Sequence, residues 1–379
     1  MKRILILGGG FGGLATAHAL RRLRPDDEVI VVDRASHFLV GFRKTWMLLG
    51  EKEESGGLRP LTSITRFGIQ HRAGTVTKID PENLAAEVDG ERIEADTLVV
   101  ALGAQLAPET VPGLAEHGHN VYDPRLIPQA RAALESFGGG HVTVGVFGAA
   151  YKCPPAPYEI AILVKEKLAQ QGAAATVEVF TPLPSSLPIV GATGCNVIEG
   201  RLAANGIDFV PAHLATAVTE TAVHFGDKQR PYDLLLAIPP HRCPPLVVES
   251  GLTNGRHWVP VNPRTLQTDF PDVYAIGDVA EVLMANGKPL PKAGVFAEAQ
   301  GQVVAQQIAA NFAGETSEAA FAGDGGCFLE VGGGQALMVE GGFMAEPFPQ
   351  VRLTEPSADF LQQKAAFEEK RLQEWFGEG

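Results

Sequence analysis

Short apolar runs alternate with helical patterns along the chain. Residues 4–7 form the first apolar run and residues 28–32 the second, with small and apolar residues at 14–22 between them. Short apolar runs bounded by turn residues are typical of buried strands, and the longer middle stretch is typical of a helix. The chain therefore begins with a predicted strand–helix–strand unit.

The same alternation returns after a proline- and glycine-rich connection at residues 108–128. Predicted buried strands lie at residues 95–104, 141–147, 176–180, 234–238 and 270–279, and predicted helices at residues 158–171, 295–311 and 357–376. Alternating strands and helices favour an α/β protein with parallel sheets. Shorter strand-like pieces at residues 327–331 and 336–339 predict a small additional segment near the C-terminus.

A glycine motif joins the first strand to the first helix. Gly8, Gly10 and Gly13 occupy G-x-G-x-x-G positions, and Asp33 follows the second strand. Such glycines allow a tight turn, close approach of a pyrophosphate and close packing of helix on strand, while the acid accepts a hydrogen bond from a ribose hydroxyl. The N–H groups at the helix start hold the phosphates. We therefore predict that this unit binds a dinucleotide.

Composition and charge exclude several classes of protein. The 379 residues are enough for two or three domains, and the net charge of −13, from 31 basic and 44 acidic residues, argues against a nucleic-acid partner. No signal-peptide pattern and no run of 18 apolar residues occurs, so we expect a cytoplasmic protein. The four cysteines lack metal-ligand spacing, so we expect no metal and interpret a cysteine pair as catalytic.

The order of the motifs resembles one superfamily, the two-dinucleotide-fold flavoproteins of the pyridine nucleotide–disulfide oxidoreductases. The motifs are the glycine turn, Asp33, Ala101-Leu102-Gly103, a second strand–helix–strand unit, and Gly277-Asp278. The resemblance implies an α/β fold with two Rossmann-like dinucleotide-binding folds and a small C-terminal α+β segment. It implies an FAD-binding domain at residues 1–110 and 255–314, a second dinucleotide-type domain at residues 111–254, and a flavin-covering segment with a terminal helix at residues 315–379.

The same resemblance indicates where FAD binds. An Asp at the position of Asp278 binds the ribityl or pyrophosphate region in these proteins. A helix like that at residues 293–311 points its N-terminus at the flavin pyrimidine ring, where it would stabilise reduced flavin. The residues expected to bind FAD are Gly8, Gly10, Phe11, Gly12, Gly13, Asp33, Arg34, Lys44, Val76, Ala101, Gly103, Gly277, Asp278, Lys292 and Ala293.

The second unit distinguishes the sulfide:quinone oxidoreductases and the flavocytochrome c sulfide dehydrogenase flavoproteins from the type II NADH dehydrogenases. An NADH site needs a second glycine fingerprint and an acid after the next strand. Here Pro154, Pro155 and Pro157 stand in the turn, and the next strand runs into Thr181-Pro182. The nicotinamide site is therefore predicted to be degenerate. A type II NADH dehydrogenase-like NAD(P)H:quinone or acceptor oxidoreductase remains the alternative.

Two cysteines resemble the redox pair of the sulfide-oxidising branches. Cys153 stands before the helix of the second unit, and Cys327 lies in the segment expected to cover the flavin. The helix N-terminus and Lys152 are expected to lower the pKa of the Cys153 thiol. The resemblance implies that sulfide or a related sulfur compound attacks this pair, and that electrons pass through FAD to a quinone. The alternative is two buried apolar cysteines, and Cys195 and Cys243 have no assigned role.

The chain departs from the proteins it resembles in two places. Residues 38–46 lack the cysteine through which the flavocytochrome type tethers its FAD, so we expect noncovalent FAD. Residues 120–128 lack the third cysteine that quinone-linked members often carry. No C-x-x-C-H haem motif occurs, which favours a quinone over a soluble electron carrier, although both remain open.

Glu159 and Lys292 complete the predicted catalytic set. Glu159 either relays protons or is a solvated helix residue, and Lys292 either neutralises reduced flavin or is exposed. The terminal helix places apolar side chains near one stripe, namely Leu361, Ala365, Leu372, Trp375 and Phe376. This helix either touches the inner face of the cell membrane as a peripheral contact, packs on its own domain, or packs on a second subunit of a homodimer.

Overall fold

Two parallel sheets frame the structure, a computed structural model that describes residues 1–377. The first sheet orders its strands as Val273–Ala275, Thr97–Val100, Arg3–Leu7, Glu28–Asp33 and Gln70–Ala73. The second orders its strands as His119–Asn120, Leu234–Ile238, Gly139–Val146, Ala174–Phe180 and Ile207–Val210. Neighbouring strands run parallel throughout both sheets. The predicted α/β fold with two dinucleotide-type units is confirmed.

Helices and smaller sheets surround this frame. The α-helices are Phe11–Leu23, Arg43–Leu49, Leu114–His117, Ile127–Glu135, Ala156–Gln170, Gly191–Ala204, Pro245–Glu249, Gly294–Ala313 and Ala358–Phe376. Antiparallel sheets are formed by Val76–Asp80 with Ala85–Val88 and Glu91–Glu94, by Ala217–Val218 with Ala222–Phe225 and Lys228–Pro231, and by Asp324–Glu330 with Ala336–Gly342 and Gln350–Leu353. The last of these and the terminal helix form the predicted C-terminal α+β segment.

The remaining regular elements are short. Paired two-residue strands are His37–Phe38 with Arg59–Pro60, Gln105–Leu106 with His241–Arg242, and Val259–Pro260 with Ala280–Glu281. Turns of 3₁₀-helix are Glu54–Gly56, Leu61–Phe67, Pro108–Thr110, Pro124–Leu126, Pro188–Val190 and Gly277–Val279. The Gln105–Leu106 pairing joins a segment next to the first sheet to the end of a central strand of the second.

The helices Phe11–Leu23 and Gly294–Ala313 cross at very short distance. A Cβ added to Gly301 would lie 2.6 Å from the carbonyl oxygen of Gly12 and 2.8 Å from the hydroxyl of Thr16, so only glycine fits there. This crossing holds the start of the long helix beside the glycine turn of the first strand. Two helix N-termini, each favourable for negative charge, therefore lie at the same edge of the first sheet.

The terminal helix packs on its own chain. Its buried residues are Lys364, Glu368, Leu372, Trp375 and Phe376, which recur at a spacing of three or four. Trp375 meets the rings of Phe11 and Phe38 edge-on, with ring centroids 5.3 and 5.6 Å apart. The C-terminal part of the apolar stripe, at Leu372, Trp375 and Phe376, is therefore covered by the protein itself, whereas Leu361 and Ala365 are half-buried. Within residues 1–377, no helix is long and apolar enough to cross a membrane.

Candidate active site

The glycine turn has the form that a bound pyrophosphate requires. Gly8 has a φ of +114°, and a Cβ there would lie 2.2 Å from the carbonyl oxygen of Ala101. A Cβ at Gly13 would lie 1.9 Å from the carbonyl oxygen of Gly8. At Gly10, by contrast, a Cβ would meet no atom within 4 Å. Two of the glycines are therefore required by the fold, and the third leaves open space beside the helix N-terminus.

Asp33 lies beside this space. One of its carboxylate oxygens accepts a hydrogen bond from the Gly9 N–H at 2.6 Å, and the other accepts one from the Ala35 N–H at 2.7 Å. Each carboxylate oxygen keeps acceptor capacity for a further donor, such as a ribose hydroxyl. The structure thus brings the predicted acid and the glycine turn together.

Two half-buried lysines, Lys44 and Lys292, lie within electrostatic reach of Asp278. Burial lowers the pKa of Lys44 to about 7, and the charge of Lys152 lowers it further. Burial lowers the pKa of Lys292 to about 8, while its ammonium lies 3.6 Å above the centre of the Trp258 ring and donates to the Asp278 carbonyl. Cations held in this way fit an anionic group, so these residues and the open space at Gly10 suit FAD. Lys292 is therefore partnered and not merely exposed.

The other residues predicted to bind FAD differ in their exposure and in the open space around them. Gly103 has a φ of +66° and open space beyond its α-carbon, whereas a Cβ at Gly12 would strike the Ile276 side chain at 2.9 Å. Val76 is buried in an antiparallel strand, and Arg34 is exposed. The FAD-binding set remains a prediction. Its remaining members are Phe11, half-buried against aromatic rings, Ala101 after a strand of the first sheet, Gly277 and Asp278 in a short turn, and Ala293 at the start of the long helix.

Cys153 and Cys327 reach one buried region from different elements. Both are free, half-buried thiols, and Cys153 has a left-handed backbone with a φ of +55°. The charge of Cys153 is among the causes that raise the pKa of Cys327, so the two sulfurs share one electrostatic environment. The charges of Glu159 and Lys364 act on both thiols. The structure is therefore consistent with a pair, whose redox role remains a prediction.

The expected low pKa of Cys153 is wrong. Burial raises the pKa of this thiol to about 11, and the neighbouring Glu159 carboxylate acts in the same direction. Lys364 and Lys44 lower the pKa but do not outweigh burial. Burial also raises the pKa of Cys327 well above its usual range. Removal from water disfavours a thiolate more than these cations favour it.

A buried ionic cluster adjoins the cysteines. Lys364 Nζ lies 2.9 Å from Glu159 Oε2 and 2.7 Å from Glu330 Oε1, and its side chain is only 1% exposed. The Glu330 carboxylate also accepts a hydrogen bond from the Trp46 indole N–H at 2.7 Å. Burial raises the pKa of Glu159; for Lys364, burial acts against the charge, but the two carboxylates outweigh it and raise the pKa. Glu159 is thus a buried group, not a solvated helix residue.

The helix Ala156–Gln170, in the second unit, differs from the helix Phe11–Leu23 in the N–H groups of its first turn, which a dinucleotide pyrophosphate would need. The Ala156 N–H donates to the Cys153 carbonyl at 3.0 Å, and Pro157 has no N–H. The N–H groups of Tyr158 and Glu159 both donate to the Pro155 carbonyl at 3.2 Å. The first turn of this helix therefore offers no free N–H group to a pyrophosphate, in agreement with a degenerate nicotinamide site.

A cavity of about 870 Å³ lies at the carboxyl edge of the second sheet, where parallel sheets bind ligands. Tyr151 and Pro154, on either side of Cys153, contribute to its wall. Trp258 and Lys292 also line it, and so does Cys243, a buried thiol that follows the short strand His241–Arg242. The crevice of the second unit is thus present, and its walls are mostly apolar and proline-rich.

Sequence reasoning missed Lys364, Glu330 and Tyr122. Lys364 shares the helix face of Glu368, Leu372 and Phe376 by i+4 spacing, which is the signal that could have marked it as buried. Charged residues on such a face are ordinarily assigned to solvent. No local signal marks Glu330 or Tyr122, because their partners lie far away in the chain.

Comparison with known proteins agrees with this architecture. The family model described as pyridine nucleotide-disulphide oxidoreductase matches residues 2–301. The mouse mitochondrial sulfide:quinone oxidoreductase is 24% identical over 364 residues, covering 91% of this chain and 79% of that protein. Demethylphylloquinone reductase NdbB of Synechocystis is 26% identical over 331 residues, covering 82% of this chain and 80% of that protein.

Among solved structures, the sulfide:quinone oxidoreductase of Aquifex aeolicus superposes with a TM-score of 0.90 at 22% identity, covering 99% of this chain and 92% of that one. This likeness confirms the fold. The chain belongs to the pyridine nucleotide-disulphide oxidoreductase family. It is accordingly a flavin-dependent oxidoreductase, similar to the sulfide:quinone oxidoreductases, and the family implies FAD as its cofactor.

Proposed function

We propose that this protein oxidises sulfide, or a related sulfur compound, at Cys153 and Cys327 and passes the electrons through noncovalently bound FAD to a quinone. The observation that carries the proposal is a contact between the elements of the two thiols: on the strand of Cys327 the Glu330 N–H donates to Glu159, on the helix after Cys153, at 2.9 Å. The charges of Glu159 and Lys364 also act on both thiols. Two unrelated buried cysteines on separate elements would have no reason to lie beside the same ionic cluster. Relatives named for sulfide and quinone chemistry support the same assignment.

The chemistry starts from the oxidised pair. Hydrosulfide attacks the Cys153–Cys327 disulfide, breaks its S–S bond, and leaves a persulfide on one cysteine and a thiolate on the other. A second hydrosulfide takes the sulfane sulfur away as disulfanide and leaves two reduced cysteines. Re-forming the disulfide releases two electrons and two protons, and FAD, when bound, would supply the two-electron acceptor for this oxidation. The high thiol pKa does not slow the attacking group, because the nucleophile in the first step is the substrate and not Cys153. It does make the freed cysteine sulfur a poorer leaving group, so a neighbouring cation is needed to stabilise the thiolate.

Glu159 and Lys364 supply the proton chemistry in this proposal. The Glu159 carboxyl is buried beside both thiols, and burial raises its pKa towards the range where it can accept and release a proton. Lys364 lowers the pKa of both thiols and so stabilises the thiolate that disulfide cleavage frees. Lys292, held against Trp258, is the residue proposed to balance negative charge on reduced flavin.

The cofactor and acceptor follow from the same residues. FAD is proposed to bind in the domain formed by residues 1–110 and 255–314, without a covalent bond, because no cysteine occurs at residues 38–46. A quinone is proposed as acceptor, with a soluble electron carrier as the other outcome. Residues 111–254 are proposed as a second domain without a nicotinamide role, and residues 315–379 as the segment that brings Cys327 to the site.

A type II NADH dehydrogenase-like activity is the second candidate. The similarity to a demethylphylloquinone reductase and the cavity of about 870 Å³ in the second unit favour it. The helix N-terminus after Cys153 argues against it, since its N–H groups are already bonded or absent.

Serine substitutions test the proposal. Cys153→Ser and Cys327→Ser are each expected to keep FAD bound and to slow flavin reduction by sulfide by on the order of 100-fold or more, because serine cannot form the disulfide. Cys195→Ser is the control, since Cys195 is buried against Ser185 in the second unit. Full sulfide activity in Cys327→Ser would exclude the paired mechanism.

A further inference from the structure

Cys153 is held in an unusual backbone conformation between the two domains. Its φ of +55° lies in the left-handed region, which an L residue with a Cβ adopts at a cost unless surrounding contacts hold it there. Its N–H donates to the carbonyl of Lys292 at 2.8 Å, so the amide is fixed from the first domain. Its carbonyl accepts from the Ala156 N–H at 3.0 Å and from the Tyr122 hydroxyl at 3.3 Å.

Tyr122 reaches this carbonyl from the second sheet. It follows the short edge strand His119–Asn120, and the Asn120 side-chain oxygen accepts from the Tyr122 N–H at 2.8 Å. The ring is 4% exposed, with the Lys44 ammonium 5.5 Å from its centre and the His241 ring edge-on at 5.6 Å. Contacts on the backbone, the ring and the hydroxyl therefore fix the position of this side chain.

We propose that Tyr122 is a positioning residue that holds the left-handed backbone of Cys153 and thereby aims its sulfur at Cys327. This inference rests on the proposed function. Tyr122 does not touch the reacting sulfur; its hydroxyl acts through the Cys153 carbonyl. A backbone held by its amide from one domain and by its carbonyl from the other keeps the thiol direction constant when the disulfide opens and closes.

The consequence is an effect on the thiol pair and not only on stability. Disulfide bonds form only within narrow limits of separation and direction, so a freer Cys153 backbone makes closure with Cys327 less favourable. Loss of one neutral hydrogen bond corresponds to a change of about fivefold in an equilibrium or rate constant. The Ala156 N–H remains bonded to the carbonyl, so the turn itself is retained.

The experiment compares Tyr122→Phe with Tyr232→Phe in the full-length, FAD-loaded protein. Tyr232 is a matched control, because its buried side chain also donates to a backbone carbonyl, that of Thr219, in the second unit. The dithiol–disulfide equilibrium of Cys153 and Cys327 is measured anaerobically in glutathione buffers by alkylation and peptide mass. Tyr122→Phe is expected to disfavour the disulfide about fivefold and to slow flavin reduction by sulfide by a similar factor, with Tyr232→Phe unchanged in both.

Equal values for Tyr122→Phe and Tyr232→Phe in the glutathione equilibrium would overturn the proposal. Loss of FAD from Tyr122→Phe would also overturn it, because the residue would then act on the cofactor. The equilibrium decides the matter even if sulfide fails to reduce the flavin of the unaltered protein. That failure would contradict the proposed function, whereas the role of Tyr122 would still be decided by the glutathione equilibrium.

Discussion

Lys364 and Glu159 form an ion pair at 2.9 Å in which both side chains are buried, with 1% and 4% of their surface exposed. The pair joins the terminal helix to the helix that follows Cys153. Both charges act on Cys153 and on Cys327. The last helix of the chain therefore belongs to the environment of the two thiols.

Replacing Lys364 by methionine should destabilise the protein strongly. The substitution leaves the Glu159 and Glu330 carboxylates buried without their cation, which costs about 3–5 kcal/mol in the free energy of unfolding. Lys370→Met on the same helix is the control, because Lys370 is 68% exposed and its contact with Glu374 is long at 3.8 Å. Urea denaturation measures both, and equal stability of the two variants would contradict the buried cluster.

Two glycine substitutions should separate cofactor binding from folding. In Gly10→Ala the new methyl group meets no protein atom within 4 Å, so the apoprotein should keep its stability. The methyl group fills the space proposed for the pyrophosphate. Overpacking costs about 1–3 kcal/mol, so FAD affinity should fall about 5- to 150-fold.

Gly13→Ala should show the opposite order of effects. Its Cβ would lie 1.9 Å from the Gly8 carbonyl oxygen, so folding itself should suffer, by about 3 kcal/mol or more. Flavin fluorescence titration and thermal unfolding of the apoproteins distinguish the two cases. Unchanged FAD affinity in Gly10→Ala would move the cofactor away from the glycine turn.

FAD affinity should depend on pH through Lys44. Burial lowers the pKa of Lys44 to about 7 in the free protein, and a nearby anionic cofactor would raise it. The complex then holds more protons than the free protein, so affinity should fall as the pH rises above about 7, by at most about tenfold per pH unit. Titrations between pH 6 and about 9 measure the slope, a range set by this pKa.

Lys44→Met should flatten that pH dependence, whereas Lys78→Met should not. The Lys78 side chain is 64% exposed on an antiparallel strand, in loose contact with Glu87 at 3.8 Å. The same slope in wild type and Lys44→Met would show that Lys44 does not face the cofactor. Lys292, whose pKa burial lowers to about 8, also titrates in this range, so Lys44→Met should remove only the part of the slope that begins near pH 7.

Trp375→Ala tests whether the terminal helix serves packing or membrane attachment. Trp375 is 4% exposed and packs on Phe11 and Phe38, so its loss should cost about 3–5 kcal/mol. The exposed Phe348 provides the control, since Phe348→Ala should change stability by less than about 0.5 kcal/mol. Liposome association should be the same for both variants and the unaltered protein. Normal stability with lost liposome association in Trp375→Ala would favour a membrane anchor.

Much of the fold is readable from the sequence because it rests on local patterns. The glycines at Gly8, Gly10 and Gly13 are close in the chain, and their spacing reports a turn and a helix start that neighbouring residues determine. Apolar runs likewise report strands that are buried on both faces of a parallel sheet. These features led to the α/β fold, to the two units and to the resemblance that names the family.

The electrostatics of the site could not be read in this way. The partner of Glu159 lies 205 positions away at Lys364, and no local pattern predicts that two charged side chains will be buried together. The adjacent Lys152 and the helix start predict a low pKa for the Cys153 thiol, but burial by distant elements raises it. Residues adjacent in sequence therefore predict this pKa wrongly, because burial by the folded chain controls the free energy of the thiolate.

Anaerobic stopped-flow mixing of the FAD-loaded protein with sulfide and, separately, with NADH tests the central claim most directly. Bleaching of the flavin absorption band reports reduction in both cases. The account predicts rapid bleaching by sulfide, far slower bleaching by NADH, and loss of the sulfide reaction in Cys153→Ser. Rapid bleaching by micromolar NADH with no reaction of sulfide would contradict it and assign the protein to the NADH dehydrogenase branch.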